Sequence, residues 1–423
     1  MTTFDFASYL QQRLGAHADE GGRFTVETLA GGLTNHTARA TFSQPVSTIA
    51  LPEGRELTGL SLTSVVLKQA PPYLAWDPKR PLSVDRQLVE KKAFQILAGE
   101  DPEFPRMQAL AHGAEAKVHV PRLIWHDEDA HMLWIEDLGS MTTLSEVLLA
   151  GEALEFEAKK MQEIATGFGV FLSALFTETA SPPASFVSYI ASVSDRSGIY
   201  DYLADVVLNY LRDAGIQDAP ALSERVRTGF NESDDAEPPK CVGMVDFWPE
   251  NVLVELAAND KDAPTKCGLV DWEYFGVSDA SSELGMFLAH LHVHMLNSAT
   301  PPIAKRRIQH FTQTWLRSFV AAQFGGKSND EKSVKETRWR PSNGFVRRLL
   351  LSHGRDLVRG VKLYSAKLDD ASKRRLLEGG ARSLRAAGES SDKIDVRFLR
   401  PTESMDADEA DCRDIWEGLS ILV

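Results

Sequence analysis

The stretch GMVDFWPENVLVE, residues 243–255, decides how the rest of the chain is interpreted. Asp246 and Asn251 stand five positions apart, immediately before a β-rich run that begins at Val252. One interpretation is a polar turn, because Asp and Asn side chains bond local backbone and Pro249 favours a turn. The other is a catalytic loop, in which a carboxylate and an amide point at the same small volume. This stretch alone does not separate the two.

Length, composition and charge restrict the class of protein. The chain has 423 residues, a length that favours two or three domains or one enzyme with two lobes. Its 46 Lys and Arg residues against 60 Asp and Glu residues leave a formal net charge of −14, and there is no long basic run. A nucleic-acid or anionic-membrane partner is therefore not expected, because attraction to phosphates needs clustered basic side chains. The acidic balance weakly favours cationic ligands.

The N-terminal residues and the cysteines predict a cytoplasmic location. Residues 1–17 have the spacing of a short amphipathic helix but lack the basic start and long apolar core of a signal peptide. No uninterrupted apolar run is long enough to span a bilayer. Cys241, Cys267 and Cys412 are too few and too scattered for a disulfide framework or a cysteine-based zinc site.

The hydrophobic pattern changes from strand-like to helix-like near residue 140. Residues 24–139 carry five β-rich runs and one run with helical spacing, at 82–100. Helical spacing dominates after residue 140, and a strand pair at 252–256 and 267–271 interrupts it. No internal repeat is present.

These patterns predict an α+β fold of two lobes. The β-rich N-lobe, 1–139, is expected to contain an N-terminal helix, a mostly antiparallel sheet and one further helix. A connector near 136–140 leads to a mostly helical C-lobe, 140–423. Within the C-lobe, the acidic and turn-rich residues 386–410 are expected to form a mobile surface segment before a last short helix.

A second carboxylate is expected to meet Asp246 and Asn251. Asp271 ends the second strand of the predicted pair, and a hairpin returns the chain to near its start. Asp271 can therefore lie beside Asn251. Two carboxylates and one amide in a cleft suit Mg²⁺, which binds oxygen ligands and keeps several waters. With so few protein ligands, such a site usually needs phosphate oxygens to complete it.

The N-lobe supplies a candidate phosphate-binding lysine. Lys68 follows three apolar residues in a predicted strand, where burial is costly unless the ammonium is paired. Glu90 shares a helix face with Phe94 and Leu97, so it lies beside apolar positions and could be the partner. The alternative is that Lys68 extends to solvent from an edge strand and that Glu90 only solubilises its helix.

A glycine turn completes the set of signals. Gly31 and Gly32 stand at a strand-to-strand turn, where glycine lets backbone N–H groups approach a phosphate. Gly-Gly hairpins are common, so this signal is weak alone. The order of glycine turn, strand lysine, helix glutamate, acidic connector, D-x-x-x-x-N and strand-end aspartate is that of a phosphotransferase core. We therefore expect Asp246 to orient an attacking hydroxyl while Asn251 and Asp271 hold the metal.

These motifs resemble those of the aminoglycoside-phosphotransferase and choline-kinase type of small-molecule kinases, which share the protein-kinase-like fold. The segment VVLKQAPPYLAWDPKRPLSVDRQLVEKKAF and the stretch VRRLLLSHGRDL resemble methylthioribose kinases. GMVDFWPENVLV and LVDWEYFGVSDASSELGMFL also resemble the fungal 4-hydroxytryptamine kinase group. The resemblance runs from about residue 24 to residue 365.

The resemblance implies an ATP- and Mg²⁺-dependent kinase. In it, Lys68 binds the α- and β-phosphates and pairs with Glu90, and the connector binds adenine through backbone near Glu136 and Leu138. The glycine turn, with Asn35, belongs to the same nucleotide site.

The metal and the catalytic group follow from the same resemblance. It implies that Asp246 is the catalytic carboxylate and that Asn251 and Asp271 ligate Mg²⁺. Glu273 completes a D-x-E motif like that of methylthioribose kinases.

The chain departs from the family pattern at two places. The usual H-G-D of the catalytic loop is replaced by Met244-Val245-Asp246, which leaves a non-catalytic nucleotide-binding pseudokinase as the alternative function. The Trp-containing loop of methylthioribose kinases is replaced by AWDPKRPL, which puts methylthioribose in doubt as the substrate. A protein kinase is not expected, because no A-P-E motif or long activation segment follows Asp271.

The expected partner is a small molecule that carries a hydroxyl, bound by a monomer or a homodimer. Spacing alone makes Arg347 and Arg348 a pair of surface arginines, whereas the resemblance implies that they hold the substrate. Trp248 and Trp272 either line the substrate pocket or pack in the core.

Five further polar residues have alternative interpretations. The pattern H-x-H-x-H at 290–294 is read as packed or hydrogen-bonded histidines rather than a metal site, because the local period is helical. Asp279 and Glu283 stand where relatives brace the catalytic loop, so a supporting role is favoured over a solvated helix start.

Overall fold

The structure, a computed structural model, describes ten stretches of the chain. They are residues 4–14, 24–29, 34–51, 55–113, 116–150, 158–194, 198–229, 239–255, 266–324 and 342–388. The predicted glycine turn at Gly31 and Gly32 lies outside the described residues. So do Cys412 and the acidic segment beyond residue 388.

The N-lobe is built on one antiparallel sheet of five strands, in the order β1-β2-β3-β8-β7. Two short strands, β4 and β5, form a separate hairpin. The strands are β1 (Phe24–Thr28), β2 (His36–Ala50), β3 (Glu56–Gln69), β4 (Tyr73–Leu74), β5 (Asp77–Pro81), β6 (Val118–His119), β7 (Leu123–Asp127) and β8 (Met132–Ile135). The helices of this part are α1 (Phe6–Leu14), α2 (Arg86–Leu97) and α3 (Met107–His112).

The two faces of this sheet are covered by different helices. Helix α1 packs Leu10 and Leu14 into the cluster under one face, where Tyr9 accepts a hydrogen bond from Trp134 Nε1 at 2.9 Å and donates one to Asp127 at 2.9 Å. Helix α2 joins the larger cluster on the other side through apolar residues that include Phe94. Glu90 therefore belongs to the helix that faces the interior of the molecule.

The C-lobe is mostly helical and contains two short sheets. Its helices are α4 (Leu144–Leu149), α5 (Ala158–Glu178), α6 (Ala184–Val193), α7 (Ile199–Asp213), α8 (Ala219–Thr228), α9 (Ala280–Leu296), α10 (Pro302–Phe324), α11 (Asn343–Leu363) and α12 (Asp370–Ala386). Its strands are β9 (Thr142–Thr143), β10 (Lys240–Gly243), β11 (Val252–Val254), β12 (Cys267–Leu269) and β13 (Gly276–Asp279). The sheets have the orders β10-β13 and β6-β12-β11-β9.

The predicted α+β fold with two lobes is confirmed, with differences in detail. Strand β6 comes from the N-terminal third of the chain, yet it pairs in parallel with β12 of the C-lobe. Within the part of the chain with helical spacing, residues 184–215 contain two helices, α6 and α7. Across the described part of the chain, none of the helices combines the length and hydropathy that a membrane span requires.

Candidate active site

Lys68 lies in the centre of the N-lobe sheet. Strand β3 is bonded to β2 on one side and to β8 on the other, and Lys68 pairs in register with Thr37 and Leu133. Its side chain is 9% exposed. The alternative in which Lys68 reaches solvent from an edge strand is therefore wrong, because β3 is not an edge strand.

The ammonium of Lys68 is held by carboxylates from both lobes. Its Nζ lies 2.8 Å from Glu90 Oε2 and also forms an ion pair with Asp271. Glu90 in turn accepts a hydrogen bond from the Trp272 backbone N–H at 3.2 Å. Burial would lower the pKa of Lys68, but Asp271 and Glu90 hold it above its ordinary value. The lysine is thus charged and paired with Glu90, the partner considered from the sequence, and it also contacts the strand-end Asp271.

Glu283 supports the loop that carries Asp246, the proposed catalytic loop. Its carboxylate accepts a hydrogen bond from the Val245 N–H at 3.0 Å and another from Ser278 Oγ at 2.5 Å. Val245 has φ of 68°, a left-handed conformation that is unfavourable for a β-branched residue and needs such support. A Cβ on Gly243 would lie 2.6 Å from Glu283 Oε1, so glycine is needed for this close approach. The contacts support the bracing role predicted for Glu283.

The residue after Asp246 anchors the loop in the core. Phe247 is 1% exposed, and its ring stacks on Phe287 with centroids 4.6 Å apart. Phe168 approaches the same ring at 5.6 Å. Because these aromatic contacts fix Phe247, the Asp246 side chain is left on the open side of the loop, where it is 27% exposed.

Asp246 and Asn251 are brought together by the turn between them. Asn251 Nδ2 donates a hydrogen bond to the Asp246 carbonyl oxygen at 2.9 Å, across a 3₁₀ turn at Pro249–Asn251. A guanidinium nitrogen of Arg359 lies 3.6 Å from Asp246 Oδ1. Burial raises the pKa of the Asp246 carboxyl above its ordinary value, and the Arg359 guanidinium opposes that rise. The stretch is therefore both a polar turn and an arrangement suited to catalysis.

Asp271 reaches this site through the predicted hairpin. Val252 pairs with Leu269 in the β11–β12 ladder, and the Val270 N–H donates to the Asn251 carbonyl oxygen at 3.0 Å. The chain then turns at Asp271, whose φ is 69°. Its side chain is 35% exposed, which leaves a carboxylate oxygen open to the cleft.

Glu273 contacts the N-lobe rather than the open cleft. Its carboxylate accepts hydrogen bonds from Thr34 Oγ1 and Asn35 Nδ2, each at 2.5 Å, and lies 3.7 Å from Arg86 Nε. Asn35 Oδ1 also accepts from Arg86 Nε at 3.0 Å. We call Glu273, Thr34, Asn35 and Arg86 the carboxylate clasp. Burial and the nearby Asp271 raise the pKa of Glu273 to about 7.

The clasp differs from the roles expected for two of its members. Glu273 was expected to ligate metal and Asn35 to bind nucleotide, but both side chains are buried and bonded to each other. Among the residues that the structure describes, no group of three or more His, Cys, Asp or Glu side chains is arranged to hold a metal ion.

The connector is held by contacts on both sides. The Glu136 N–H donates to the Arg122 carbonyl oxygen at 2.9 Å, and Glu136 Oε2 accepts from the Arg122 N–H at 3.0 Å. Asp137 forms an ion pair with Arg39 at 2.9 Å. Leu138 packs against Gly268, where an added Cβ would lie 2.6 Å from Leu138 Cδ1. The connector is therefore placed by strands of both lobes at the back of the cleft.

The two tryptophans considered for the pocket have different environments. Trp272 is fully buried, and its Nε1 donates to the Leu269 carbonyl oxygen at 3.0 Å, so it packs in the core and does not line a pocket. Trp248 is half-buried, and its ring centroid lies 5.1 Å from that of His290.

Each of the tandem arginines contacts another group of the C-lobe. Arg347 Nε donates to the Ala387 carbonyl oxygen at 3.0 Å, and a guanidinium nitrogen of Arg348 lies 3.9 Å from Asp279 Oδ2. Asp279 itself caps α9 by accepting from the Ser282 N–H at 2.9 Å. Arg359, which sequence reasoning missed, contacts Asp246 in the loop.

A periodic signal could have identified Arg359. Arg348, Arg355 and Arg359 are spaced by seven and four residues on α11, so they share one helix face. On this face of α11, Arg348 contacts Asp279 and Arg359, further along the helix, contacts Asp246.

The three neighbouring histidines are packed or hydrogen-bonded, as predicted. His290 Nδ1 lies 2.9 Å from the Tyr364 hydroxyl, and His292 Nδ1 lies 3.2 Å from His353 Nε2. The ring of His294 lies edge-on to Tyr364 with centroids 5.1 Å apart. Burial lowers the pKa of His290 to about 3 and that of His294 to about 4, so both are neutral near pH 7.

Comparisons with known proteins find relatives over most of the chain. Residues 97–318 match the model of the phosphotransferase enzyme family. A 4-hydroxytryptamine kinase of Psilocybe cubensis is 24% identical over 289 residues, which cover 68% of this chain and 72% of that protein. A methylthioribose kinase of Bacillus cereus is 22% identical over 309 residues, which cover 66% of this chain and 67% of that protein. The solved GDP complex of wild-type aminoglycoside 2'-phosphotransferase-IIIa matches with a TM-score of 0.44 and 13% identity, covering 90% of this chain and 98% of that one.

Proposed function

Because the chain belongs to the phosphotransferase enzyme family, we propose that it transfers the γ-phosphate of ATP, with Mg²⁺, to a hydroxyl of a small-molecule metabolite. The family resemblance expected from the motifs is confirmed. The curated relatives are small-molecule kinases, one named for 4-hydroxytryptamine and one for methylthioribose, and both act on substrates that bear a hydroxyl. The chain is likewise a small-molecule kinase.

One observation carries the proposal: the Lys68 ammonium lies between Glu90 and Asp271. In kinases of this general design, a strand lysine paired with a helix glutamate holds the nucleotide phosphates, and a strand-end aspartate holds the metal that bridges them. Lys68 contacts both carboxylates at once, so the proposed phosphate-binding cation would lie beside the proposed metal ligand. Loss of function should have removed this costly buried ion pair first, so the pseudokinase alternative gains no support.

The residues present fit a Mg²⁺ ion. Asp271 has an exposed carboxylate, and Asn251 uses its Nδ2 on the Asp246 carbonyl oxygen, which leaves Oδ1 for coordination. One carboxylate, one amide oxygen and phosphate oxygens are a typical set for Mg²⁺. Bound there, the ion would neutralise charge on the transferring phosphate. Glu273 is better placed to position the N-lobe turn than to bind the ion.

Asp246 is proposed to orient the acceptor hydroxyl and accept its proton. The raised pKa makes this carboxylate a stronger base than an exposed aspartate, and the Arg359 guanidinium opposes part of that rise. Adenine is proposed to bind along the connector at Glu136 and Leu138. The turn at Gly31 and Gly32 is proposed to cover the phosphates, with the carboxylate clasp fixing the residues that follow it.

The test is ADP release from the full chain with Mg²⁺, ATP and a panel of hydroxylated sugars, amines and acids. At least one acceptor should stimulate turnover. Asp246→Asn should lower kcat by about 10²–10⁴, the usual contribution of a general base, while ATP affinity stays within about twofold. A variant with wild-type kcat would show that Asp246 is not the base. Absence of turnover with every acceptor would contradict the kinase assignment.

A further inference from the structure

Three basic side chains lie together on the open side of Asp246. We call Arg80, Arg359 and Lys362 the cationic rim. Arg359 approaches Asp246 Oδ1 at 3.6 Å, and Lys362 Nζ donates to the Tyr202 hydroxyl at 3.0 Å. The Arg80 guanidinium carbon lies 4.9 Å from the centroid of the same tyrosine ring. Tyr202 therefore contacts one basic side chain from each lobe.

The rim carries more positive charge than its surroundings neutralise. Arg359 is shared between Asp246 and Asp356, and Asp356 is also bonded to Arg355 at 2.5 Å. These two arginines and two aspartates balance. Within the described residues, neither Arg80 nor Lys362 has a carboxylate within 4.0 Å, and each contacts the neutral Tyr202. The chain as a whole has a net charge of −14, so the local positive charge of this pair differs from the average charge of the protein.

The geometry places the rim within reach of the molecule that Asp246 binds. Lys362 follows Arg359 by three residues on α11, so it lies on the same helix face about 4.5 Å further along the axis. Arg80 lies on β5, in the N-lobe hairpin that replaces the Trp-containing loop of methylthioribose kinases. Both Arg80 and Lys362 are exposed. A small acceptor with its hydroxyl at Asp246 would present its next polar group to them.

We propose that the acceptor carries a carboxylate or phosphate group in addition to the hydroxyl, and that Lys362 and Arg80 bind it. This inference rests on the proposed kinase function. Ammonium and guanidinium groups form charge-assisted hydrogen bonds with such oxygens, and an acceptor amine at this place would be repelled. The local charge thus reverses the preference for cationic ligands that the overall composition suggests. Because Arg80 and Lys362 come from different lobes, the anionic group also draws the hairpin toward the C-lobe.

The test measures binding separately from turnover. The Asp246→Asn chain, with ADP and Mg²⁺, is titrated by calorimetry with ribitol, ribonate, ribose 5-phosphate and 1-amino-1-deoxyribitol. At least one anionic probe should bind about tenfold or more tightly than ribitol, and the amine should bind most weakly. The anion that binds more tightly shows whether the acceptor carries a carboxylate or a phosphate group. Equal binding of all four, or no binding of either anion, overturns the inference.

Substitutions in the cationic rim test whether Arg80 and Lys362 cause the preference for anionic probes. Arg80→Met with Lys362→Met should bring anionic and neutral probes within about twofold of each other, and Lys362→Glu should favour the amine. Lys373→Met, which removes a partly exposed lysine paired with Asp370 on α12, is the control and should keep the preference. A preference that survives in the double variant overturns the inference. Anion binding without ADP release by the wild-type chain with any acceptor contradicts the kinase function alone.

Discussion

Single residues at this site take their roles from the carboxylates around them. Lys68 belongs to a central strand of the N-lobe, where an unpaired ammonium would cost several kcal/mol to bury. Glu90 and Asp271 remove that cost, and the arrangement holds the lysine where nucleotide phosphates are expected. Asp246 shows the same dependence, because burial and Arg359 act on its pKa in opposite directions.

A substitution of Arg359 tests its effect on the pKa of Asp246. Arg359→Met should raise the pKa of Asp246, because the guanidinium is the group that opposes the effect of burial. The ionised base would then be lost at a higher pH, so the acidic limb of the kcat/KM profile should move upward. Arg347→Met is the control, because Arg347 is bonded to Ala387 at the edge of the C-lobe. A profile that moves equally in both variants would exclude a specific effect on Asp246.

At the scale of elements, the catalytic loop is positioned by α9 and the β10–β13 ladder. Glu283 in the first turn of α9 holds the strained Val245, and Gly243 in β10 makes room for that carboxylate. Loop geometry therefore depends on two residues that do not face the cleft. Met244 and Val245, the two residues before Asp246, lie in this supported segment.

Gly243→Ala tests this support. The added Cβ would lie 2.6 Å from Glu283 Oε1, so the loop or the carboxylate must shift. We expect a loss of about 1–3 kcal/mol in the free energy of unfolding and a lower kcat. Gly198→Ala is the control, because a Cβ there meets no atom within 4 Å. Chemical denaturation and ADP release measure both effects, and equal behaviour of the two variants would count against the bracing role.

The carboxylate clasp links the residues just before β2 to the segment after β12, and its Glu273 titrates near neutrality. The pKa of Glu273 is raised from 4.5 to about 7, so the folded protein binds this proton more tightly than the unfolded chain. Stability should fall as pH rises from about 4.5 to about 7, by at most about 1.4 kcal/mol per pH unit. Glu273→Gln should lack this part of the slope.

The measurement is the free energy of unfolding against pH for wild type and Glu273→Gln. Glu128→Gln is the matched control, because Glu128 is an exposed N-lobe glutamate whose pKa is lowered by Lys91. An unchanged slope between pH 5 and pH 7 in Glu273→Gln would show that another group is responsible for the titration.

At the scale of the whole molecule, the two lobes meet through polar contacts that surround the cleft. Lys68 contacts Asp271, Glu90 accepts from the Trp272 N–H, and Arg80 lies over Tyr202. The carboxylate clasp adds a fourth link. A nucleotide with its metal would bind groups from both lobes, so binding should stabilise the molecule as a unit.

Asp271→Asn tests this coupling. In wild type, ATP with Mg²⁺ should raise the Tm more than ATP with EDTA, because the metal joins the phosphates to the C-lobe. The variant should lose most of the metal-dependent increase and keep the smaller metal-independent one. Thermal melts at fixed nucleotide concentration measure the difference. A metal-dependent increase of wild-type size in Asp271→Asn would show that the metal is held elsewhere.

The fold class and the residues proposed for the centre of the site could be predicted from the sequence alone. The alternation of β-rich and helical runs is a local property, and the pairing of β11 with β12 brings Val270, the neighbour of Asp271, to Asn251. Lys68 and Glu90 could be paired because strand and helix periodicity show which side chains face inward.

Only the tertiary structure decided which polar side chains meet across the lobes. Glu273 bonds to Asn35, Arg359 rather than Arg347 or Arg348 approaches Asp246, and Arg80 reaches Tyr202. These contacts join positions that are far apart in the chain. Whether a carboxylate meets a metal, an amide or a guanidinium depends on packing angles between elements, and local sequence patterns carry no information about those angles.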